Sequence, residues 1–151
     1  MLTDAFGRTV DYLRISVTDR CDLRCTYCLP KGFKGFSVPK EWLSIEELAR
    51  VASAFARLGT KRFRLTGGEP LLRKGLADLA AEINRQPGVE DISLTTNGTQ
   101  LGKQAHQLRA AGVRRLNISL DSLRGDCVKD ITGTDCLPQV LEGIKTAKAA
   151  G

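Results

Sequence analysis

The chain has 151 residues, of which 42% are hydrophobic and 26% are charged, enough for one domain with its own core. Its formal net charge is +6, from 23 Lys and Arg against 17 Asp and Glu, which favours anionic partners. The sequence contains no apolar run of membrane-spanning length, no apolar core of a secretory signal and no basic block typical of a nucleic-acid tail. We therefore expect a cytoplasmic protein that binds neither a membrane nor nucleic acid.

Short β-type runs alternate with helical patterns along the chain. The first run, about Tyr12 to Val17, alternates apolar and polar residues, and a loop rich in Gly, Pro and Lys follows it. The stretch SIEELARVASAFARLG predicts a helix with Ser44 as N-cap, Glu47 as its capping-box partner and an end at Gly59. The later elements are predicted as strand KRFRLT, helix GLADLAAEINRQPG, strand DISLTT, helix GKQAHQLRAAG, strand RRLNISL and helix LPQVLEGIKTAKAAG.

Strands separated by helices predict right-handed parallel crossovers, and thus an α/β fold with a parallel sheet. Loops that follow parallel strands collect at one edge of the sheet, where α/β enzymes place their sites. Four such loops carry unusual residues: the cysteine loop after the first strand, TGGEP (Thr66 to Pro70), TTNG (Thr95 to Gly98) and SLDS (Ser119 to Ser122). We expect the four loops to form one site.

Three of the five cysteines lie in one loop with the spacing Cys21-x-x-x-Cys25-x-x-Cys28. Under reducing conditions such cysteines are more typical of a metal site or of chemistry than of disulfides. Zinc sites usually add His or carboxylate ligands, and Cys127 and Cys136 reach this loop only if their own segment folds back. A 4Fe-4S cluster is built on thiolates, and three of them leave one iron open. Incidental cysteines and a non-catalytic zinc-binding module remain alternatives.

The cysteine loop resembles the signature of the radical S-adenosylmethionine (SAM) enzymes, CxxxCxxC after the first strand of a partial (β/α) barrel, with the aromatic Tyr27 before the last cysteine. GGEP at Gly67 to Pro70 resembles the second motif of that family. The resemblance implies an incomplete radical-SAM partial TIM barrel, with about four β/α units in this chain. It also implies that Cys21, Cys25 and Cys28 hold a 4Fe-4S cluster whose open iron binds SAM, and that the reduced cluster cleaves SAM to a 5′-deoxyadenosyl radical.

Within that superfamily the chain resembles the GTP 3′,8-cyclases of molybdenum cofactor biosynthesis. The stretches that carry the resemblance are TDAFGRTVDYLRISVTDRCDLRCTYC, RLTGGEPLLR, LTTNG, LNISLDSL and ITG. The implied lyase reaction abstracts hydrogen from the ribose C3′ of GTP and lets the C3′ radical attack guanine C8. The implied partners are GTP, an electron donor and, in the full-length protein, a second copy in a homodimer.

The resemblance also assigns ligand-binding residues, although it assigns no catalytic one. Its motifs place Tyr27, Gly68 and Ser119 at SAM, and Arg14, Arg64 and Thr95 at GTP. Arginine suits phosphate and ribose oxygens because its charged fork binds them bidentately, and glycine lets a backbone approach a ligand closely. The two arginines could instead pair with Glu69 or Asp121, and the hydroxyl residues could be plain strand residues. Glu69 could hold the methionine ammonium or an arginine, while Asn97-Gly98 predicts a turn before it predicts a ligand contact.

Two features depart from the cyclase pattern. Leu29 stands where the family more often has Met, a volume-conserving change that we expect to be harmless. The family also continues for about as long again, so we expect residues 1–151 to form the N-terminal part of a radical SAM core domain. Such a part is expected to expose a strand edge and an apolar sheet face, and to lack GTP turnover alone. Two further interpretations stay open, a radical enzyme that acts on a peptide or RNA and a basic RNA-binding domain.

Overall fold

The computed structural model describes residues 2–29, 33, 35–36 and 42–151. The elements are β1 (Tyr12–Ser16), α1 (Ile45–Arg57), β2 (Arg62–Thr66), α2 (Leu76–Asn84), β3 (Asp91–Thr96), α3 (Leu101–Ala110), β4 (Arg115–Ile118), α4 (Gly125–Thr132) and α5 (Leu137–Ala150). A 3-10 turn, Pro70–Leu72, lies between β2 and α2. Within the described ranges, no helix has the length and apolar character that a membrane crossing requires.

The four strands form one parallel sheet in the order β1-β2-β3-β4. Every second strand residue is apolar and shares a core with the buried residues of α1, α2 and α3, so these helices cover one face of the sheet. Phe63, Leu65, Ile92 and Leu94 form the centre of this core and are almost completely buried. The predicted α/β fold with a parallel sheet is confirmed.

The opposite face of the sheet is polar. The strand register aligns one polar row across all four strands, Arg14, Arg64, Ser93 and Arg115. The next row towards the carboxyl edge pairs Thr95 with Asn117. The expectation of an exposed apolar sheet face is therefore wrong, because the apolar strand residues point towards the helices and the face that these helices leave open is polar.

Local sequence explains where most elements begin and end. Ser44 and Glu47 form the predicted capping box, because Ser44 Oγ accepts from Glu47 N at 3.2 Å and the Glu47 carboxylate accepts from Ser44 N at 2.7 Å. The sequence pattern predicts no element between β4 and α5, yet α4 lies there. Packing stabilises this short helix, since Val128 on its inner side is only 2% exposed.

Candidate functional site

The loop after β2 is hydrogen-bonded to the cysteine loop after β1. Gly68 N donates to Thr18 O at 2.8 Å, and Glu69 N donates to Arg20 O at 2.7 Å. A Cβ at Gly68 would lie 2.3 Å from Asp19 O and 2.4 Å from Arg20 O, so no side chain fits between the two loops. Gly68 is thus required by the protein's own backbone, and its contact with SAM stays a prediction.

Glu69 joins the loop after β2 to the loop after β3. Its side chain is 0% exposed, and its Oε1 accepts from Leu71 N at 3.0 Å and from Thr96 Oγ1 at 2.7 Å. Its Oε2 accepts from Asn97 N at 2.7 Å. Burial raises the pKa of Glu69, although these hydrogen bonds act in the opposite direction. In the part of the chain that the structure describes, no arginine pairs with this carboxylate, so its observed role is to connect the loops.

Asp22, directly after the first cysteine, ties the cysteine loop to the loop after β3. Its Oδ1 accepts from Asn97 Nδ2 at 2.8 Å, and its Oδ2 accepts from Thr99 Oγ1 at 2.6 Å and Gln100 Nε2 at 3.3 Å. Asn97 Nδ2 also lies 3.8 Å from Cys21 Sγ. Sequence reasoning missed Asp22, and the signal that could have found it was a carboxylate inside the cysteine motif together with the polar TTNG stretch.

The cysteine loop itself carries three free thiols, with Cys21 and Cys25 half-buried and Cys28 exposed. Cys28 N donates to Cys25 O at 3.0 Å, so the last two cysteines share one turn. Burial raises the pKa of the Cys21 and Cys25 thiols, and a neighbouring cysteine adds to the effect in each case. Across the described residues, no three His, Cys, Asp or Glu side chains already surround a common metal position. The three thiols thus share a loop, and a metal would require their side chains to turn towards one point.

The donor set of this loop fits an iron–sulfur cluster better than zinc. The chain's one histidine, His106, is exposed on α3 and lies outside the loop. Cys127 lies on α4, while Cys136 is buried at the start of α5. Three thiols alone are one ligand short of a structural zinc site, whereas a 4Fe-4S cluster is built on thiolates.

Helix α4 supports the cysteine loop on its other side. Arg24 N donates to Thr132 O and Thr26 N donates to Ile131 O, both at 2.9 Å. Beneath these bonds lies a second apolar cluster, formed by Leu23, Val128, Cys136, Leu137 and Val140. Two of the loop cysteines pack against this cluster. The segment after β4 therefore does fold back onto the loop, as a scaffold.

Tyr27 connects the cysteine loop to the segment just after β4, and Ser119 connects that segment to the end of β3. Tyr27 Oη donates to Asp121 Oδ2 at 3.0 Å, while the residue stays 68% exposed. Partial desolvation of the hydroxyl and its hydrogen bond to Asp121 raise the pKa of Tyr27. Ser119 is exposed just beyond β4, and its N–H donates to Thr96 O at 2.9 Å. Asp121 thus bonds Tyr27, and neither of the two predicted GTP arginines pairs with it in the described part of the chain.

The residues predicted to face GTP lie together on the polar face of the sheet. Arg14 on β1 is exposed, and Thr95 on β3 is half-buried. Arg64 is half-buried between them, with its Nε donating to Ser93 Oγ at 3.3 Å and its Cζ 5.7 Å from the centre of the Tyr12 ring. Among the residues that the structure describes, neither arginine forms an ion pair.

Two other arginines of the sheet, Arg62 on β2 and Arg115 on β4, have their charge neutralised. Arg62 bonds Asp11 Oδ1 at 2.7 Å, and Arg115 bonds Asp91 Oδ2 at 2.6 Å. Arg62 and Arg115 are thus paired with carboxylates, whereas among the described residues Arg14 and Arg64 have no such partner and offer their charges to an anionic ligand.

Comparison with known proteins decides the family. Residues 15–151 match the Radical SAM superfamily. The chain belongs to the radical SAM superfamily. Membership implies an iron–sulfur cluster and SAM as general cofactors.

Among curated proteins, this radical SAM chain is 53% identical over 150 residues to GTP 3′,8-cyclase 2 of Pseudomonas aeruginosa and equally to GTP 3′,8-cyclase of Ectopseudomonas mendocina. Each alignment covers 99% of this chain and 45% of the relative. The chain thus spans somewhat less than half the length of the curated relatives it matches, and it matches their N-terminal half.

Solved structures share the fold at low identity. Streptococcus suis SuiB bound to precursor peptide SuiA superimposes with a TM-score of 0.74 at 18% identity, covering 93% of this chain and 31% of that one. Native anSMEcpe with bound AdoMet gives a TM-score of 0.67 at 21% identity, covering 92% of this chain and 40% of that one. The predicted partial (β/α) barrel is confirmed by these likenesses.

Proposed function

We propose that this chain forms the N-terminal part of a GTP 3′,8-cyclase, which converts GTP to (8S)-3′,8-cyclo-7,8-dihydroguanosine 5′-triphosphate in molybdenum cofactor biosynthesis. The observation that carries the proposal is the polar strand face, where Arg14 and Arg64 keep charges that no carboxylate of the described residues neutralises. Relatives at 50–53% identity bear the name GTP 3′,8-cyclase, which supports it. Turnover then requires the remaining length that these relatives possess, together with an electron donor, and the full-length protein is proposed to be a homodimer.

The cofactor side of the proposed site is the cysteine loop and the loops bonded to it. Cys21, Cys25 and Cys28 hold a 4Fe-4S cluster, and Tyr27, Gly68 and Ser119 contact SAM. A cluster held there would, when reduced, supply the electron for the reductive cleavage of SAM. The chain's own contribution is to fix these groups, since the backbone bonds at Gly68 and the Tyr27–Asp121 bond hold the loops together.

The substrate side is the polar face of the sheet. Arg14 and Arg64 bind the phosphate or ribose oxygens of GTP through charge-assisted hydrogen bonds, and the Thr95 hydroxyl adds a neutral one. Arg64 is already oriented by Ser93 and Tyr12, which lowers the entropy lost on binding. Neighbouring strands hold both arginines in one row, so they would keep the bound ribose in a fixed position relative to the cofactor side of the site.

Arginine substitutions test this assignment in the natural gene product that contains the chain, assayed anaerobically with GTP and SAM. We expect Arg14→Ala and Arg64→Ala each to lower kcat/KM for GTP by about 10- to 100-fold, because a hydrogen bond to a charged group is worth about 1.5–3 kcal/mol. The matched control is Arg62→Ala, whose charge is paired with Asp11, and it should change kcat/KM by less than about threefold. Equal effects of all three substitutions, or no cyclised nucleotide from the unsubstituted protein, would overturn the proposal.

A further inference from the structure

We propose that the side-chain amide of Asn97 donates a hydrogen bond to the sulfur of Cys21 and that Asp22 holds the amide in that orientation, so that this pair raises the electron affinity of the cluster bound there. The inference rests on the proposed function, since it assumes that Cys21 is a cluster ligand. Its starting point is the 3.8 Å separation between Asn97 Nδ2 and Cys21 Sγ, a contact that we expect Cys21 to keep when the other two cysteines turn towards the cluster. In this assignment Asn97 and Asp22 are positioning residues.

The orientation of the Asn97 amide is fixed by its partners. Its Oδ1 accepts from Thr99 N at 3.0 Å, and a backbone N–H is always a donor, so this end of the amide must be oxygen. Its Nδ2 faces Asp22 Oδ1 at 2.8 Å, and a carboxylate is an acceptor. An amide nitrogen has two hydrogens, and with one on Asp22 the second is directed towards Cys21 Sγ.

The backbone of Asn97 is held as firmly as its side chain. Asn97 N donates to the buried carboxylate of Glu69 at 2.7 Å, so the residue cannot move away from the cysteine loop without breaking a charge-assisted bond. Asp22 is held in turn by Thr99 Oγ1 at 2.6 Å and Gln100 Nε2 at 3.3 Å, next to the start of α3. The helix dipole favours a negative charge at that end.

Reduction adds negative charge to a cluster, and this determines how a nearby hydrogen-bond donor changes its reduction potential. A reduced cluster is more negative, so a hydrogen-bond donor aimed at a ligating sulfur stabilises the reduced state and raises the reduction potential. The negative charge of Asp22 acts directly in the opposite direction. A test must therefore separate the orienting effect of Asp22 from its charge.

The first comparison uses two variants of this chain in which a side-chain amide is replaced with leucine. Each variant is loaded anaerobically with iron and sulfide, and the midpoint potential of its cluster is measured. Asn97→Leu removes the donor to Cys21 without changing charge, and we expect a cluster with a lower midpoint potential than that of the unsubstituted chain. Gln104→Leu is the matched control, because Gln104 lies on α3 and its side-chain amide donates to Leu71 O at 3.0 Å and to no cysteine of the described residues. Its potential should equal that of the unsubstituted chain. A loaded Asn97→Leu variant with unchanged potential would overturn the inference.

The second comparison is between two substitutions of Asp22. Asp22→Asn and Asp22→Ala remove the same charge, but only asparagine keeps a side-chain oxygen that can accept from Asn97 Nδ2. We expect the potential of Asp22→Ala to lie below that of Asp22→Asn, and equal potentials would show that Asp22 does not orient the amide. If the Asn97→Leu variant binds no iron and sulfide, the comparison of the two Asp22 variants decides the inference by itself. Absence of iron and sulfide in the unsubstituted chain would instead refute the cluster site on which the proposed function depends.

Discussion

Glu69 is an ionisable residue buried between the loops that follow β2 and β3. Its charge has no counter-ion among the described residues. Three donors compensate, and the two from Thr96 and Asn97 come from 27 and 28 positions further along the chain. A carboxylate with three hydrogen bonds can stay buried because each bond replaces one to water. Its effect is to join the loop after β2 to the loop after β3.

Glu69→Gln tests this role. Glutamine offers one acceptor oxygen where the carboxylate uses two, so an amide nitrogen would face either Asn97 N–H or the donors on Oε1. We expect a loss of about 1–3 kcal/mol in the free energy of unfolding near neutral pH, measured by urea denaturation. Glu82→Gln is the control, because Glu82 is exposed and its carboxylate pairs with the exposed Arg85, so its cost should be close to zero. A Glu69→Gln protein as stable as the unsubstituted one would contradict the connecting role.

The same residue predicts a pH dependence. Because burial raises the pKa of Glu69, the folded state keeps this proton to a higher pH than the unfolded state does. The contribution of this group to stability is therefore complete below the ordinary Glu pKa and falls as pH rises through the raised value. Denaturation curves from mildly acidic to neutral pH should show this decline in the unsubstituted chain and a flatter profile in Glu69→Gln.

Elements differ in how well their own residues specify them. The β3 range Asp91–Thr96 and the capping box of α1 agree with the sequence prediction, because alternation and capping are local properties. Helix α4 was not predictable in this way, since GDCVKDIT is rich in residues with low helix propensity and the helix depends on tertiary packing. The strand-end position of the cysteine loop followed from topology, but the Asp22–Asn97 bond did not, because it joins residues 75 positions apart.

The loops after β1 and β2 lie so close together that they leave no room for a side chain at Gly68. Gly68→Ala would place a Cβ 2.3 Å and 2.4 Å from two backbone carbonyl oxygens, which cannot rotate away as a side chain could. We expect it to lower the free energy of unfolding by about 1–3 kcal/mol or more, measured by chemical denaturation. Gly125→Ala, at the start of α4 and 4.0 Å from its nearest neighbour, should be neutral or slightly stabilising. Equal stability of the two variants would show that the loops separate without cost.

In the molecule as a whole, the side chains of each strand alternate between the two faces of the sheet, so that one face packs against helices and the other is left for binding. One face carries the apolar residues that α1, α2 and α3 bury, and the other carries hydroxyl, amide and guanidinium groups. Part of the net charge of +6 lies on that second face, where internal carboxylates neutralise Arg62 and Arg115 but leave Arg14 and Arg64 unpaired within the described residues. An anionic ligand is thus attracted to one defined row of the sheet.

The second apolar cluster couples the cysteine loop to the C-terminal helices, and this coupling can be measured by hydrogen exchange. Val128→Ala removes two buried carbon atoms from that cluster, which should cost about 2 kcal/mol. Because α4 carries the carbonyls that accept from Arg24 N and Thr26 N, we expect these two amide protons to exchange faster, while protons in β2 and β3 change less. Ile92→Val in the main core is the control, since it should lower stability by about 0.5–1.5 kcal/mol without selectively exposing the loop. Equal acceleration by both substitutions would mean that the cysteine loop opens only when the whole domain unfolds, whereas selective acceleration would show that α4 holds the loop in place for its ligand.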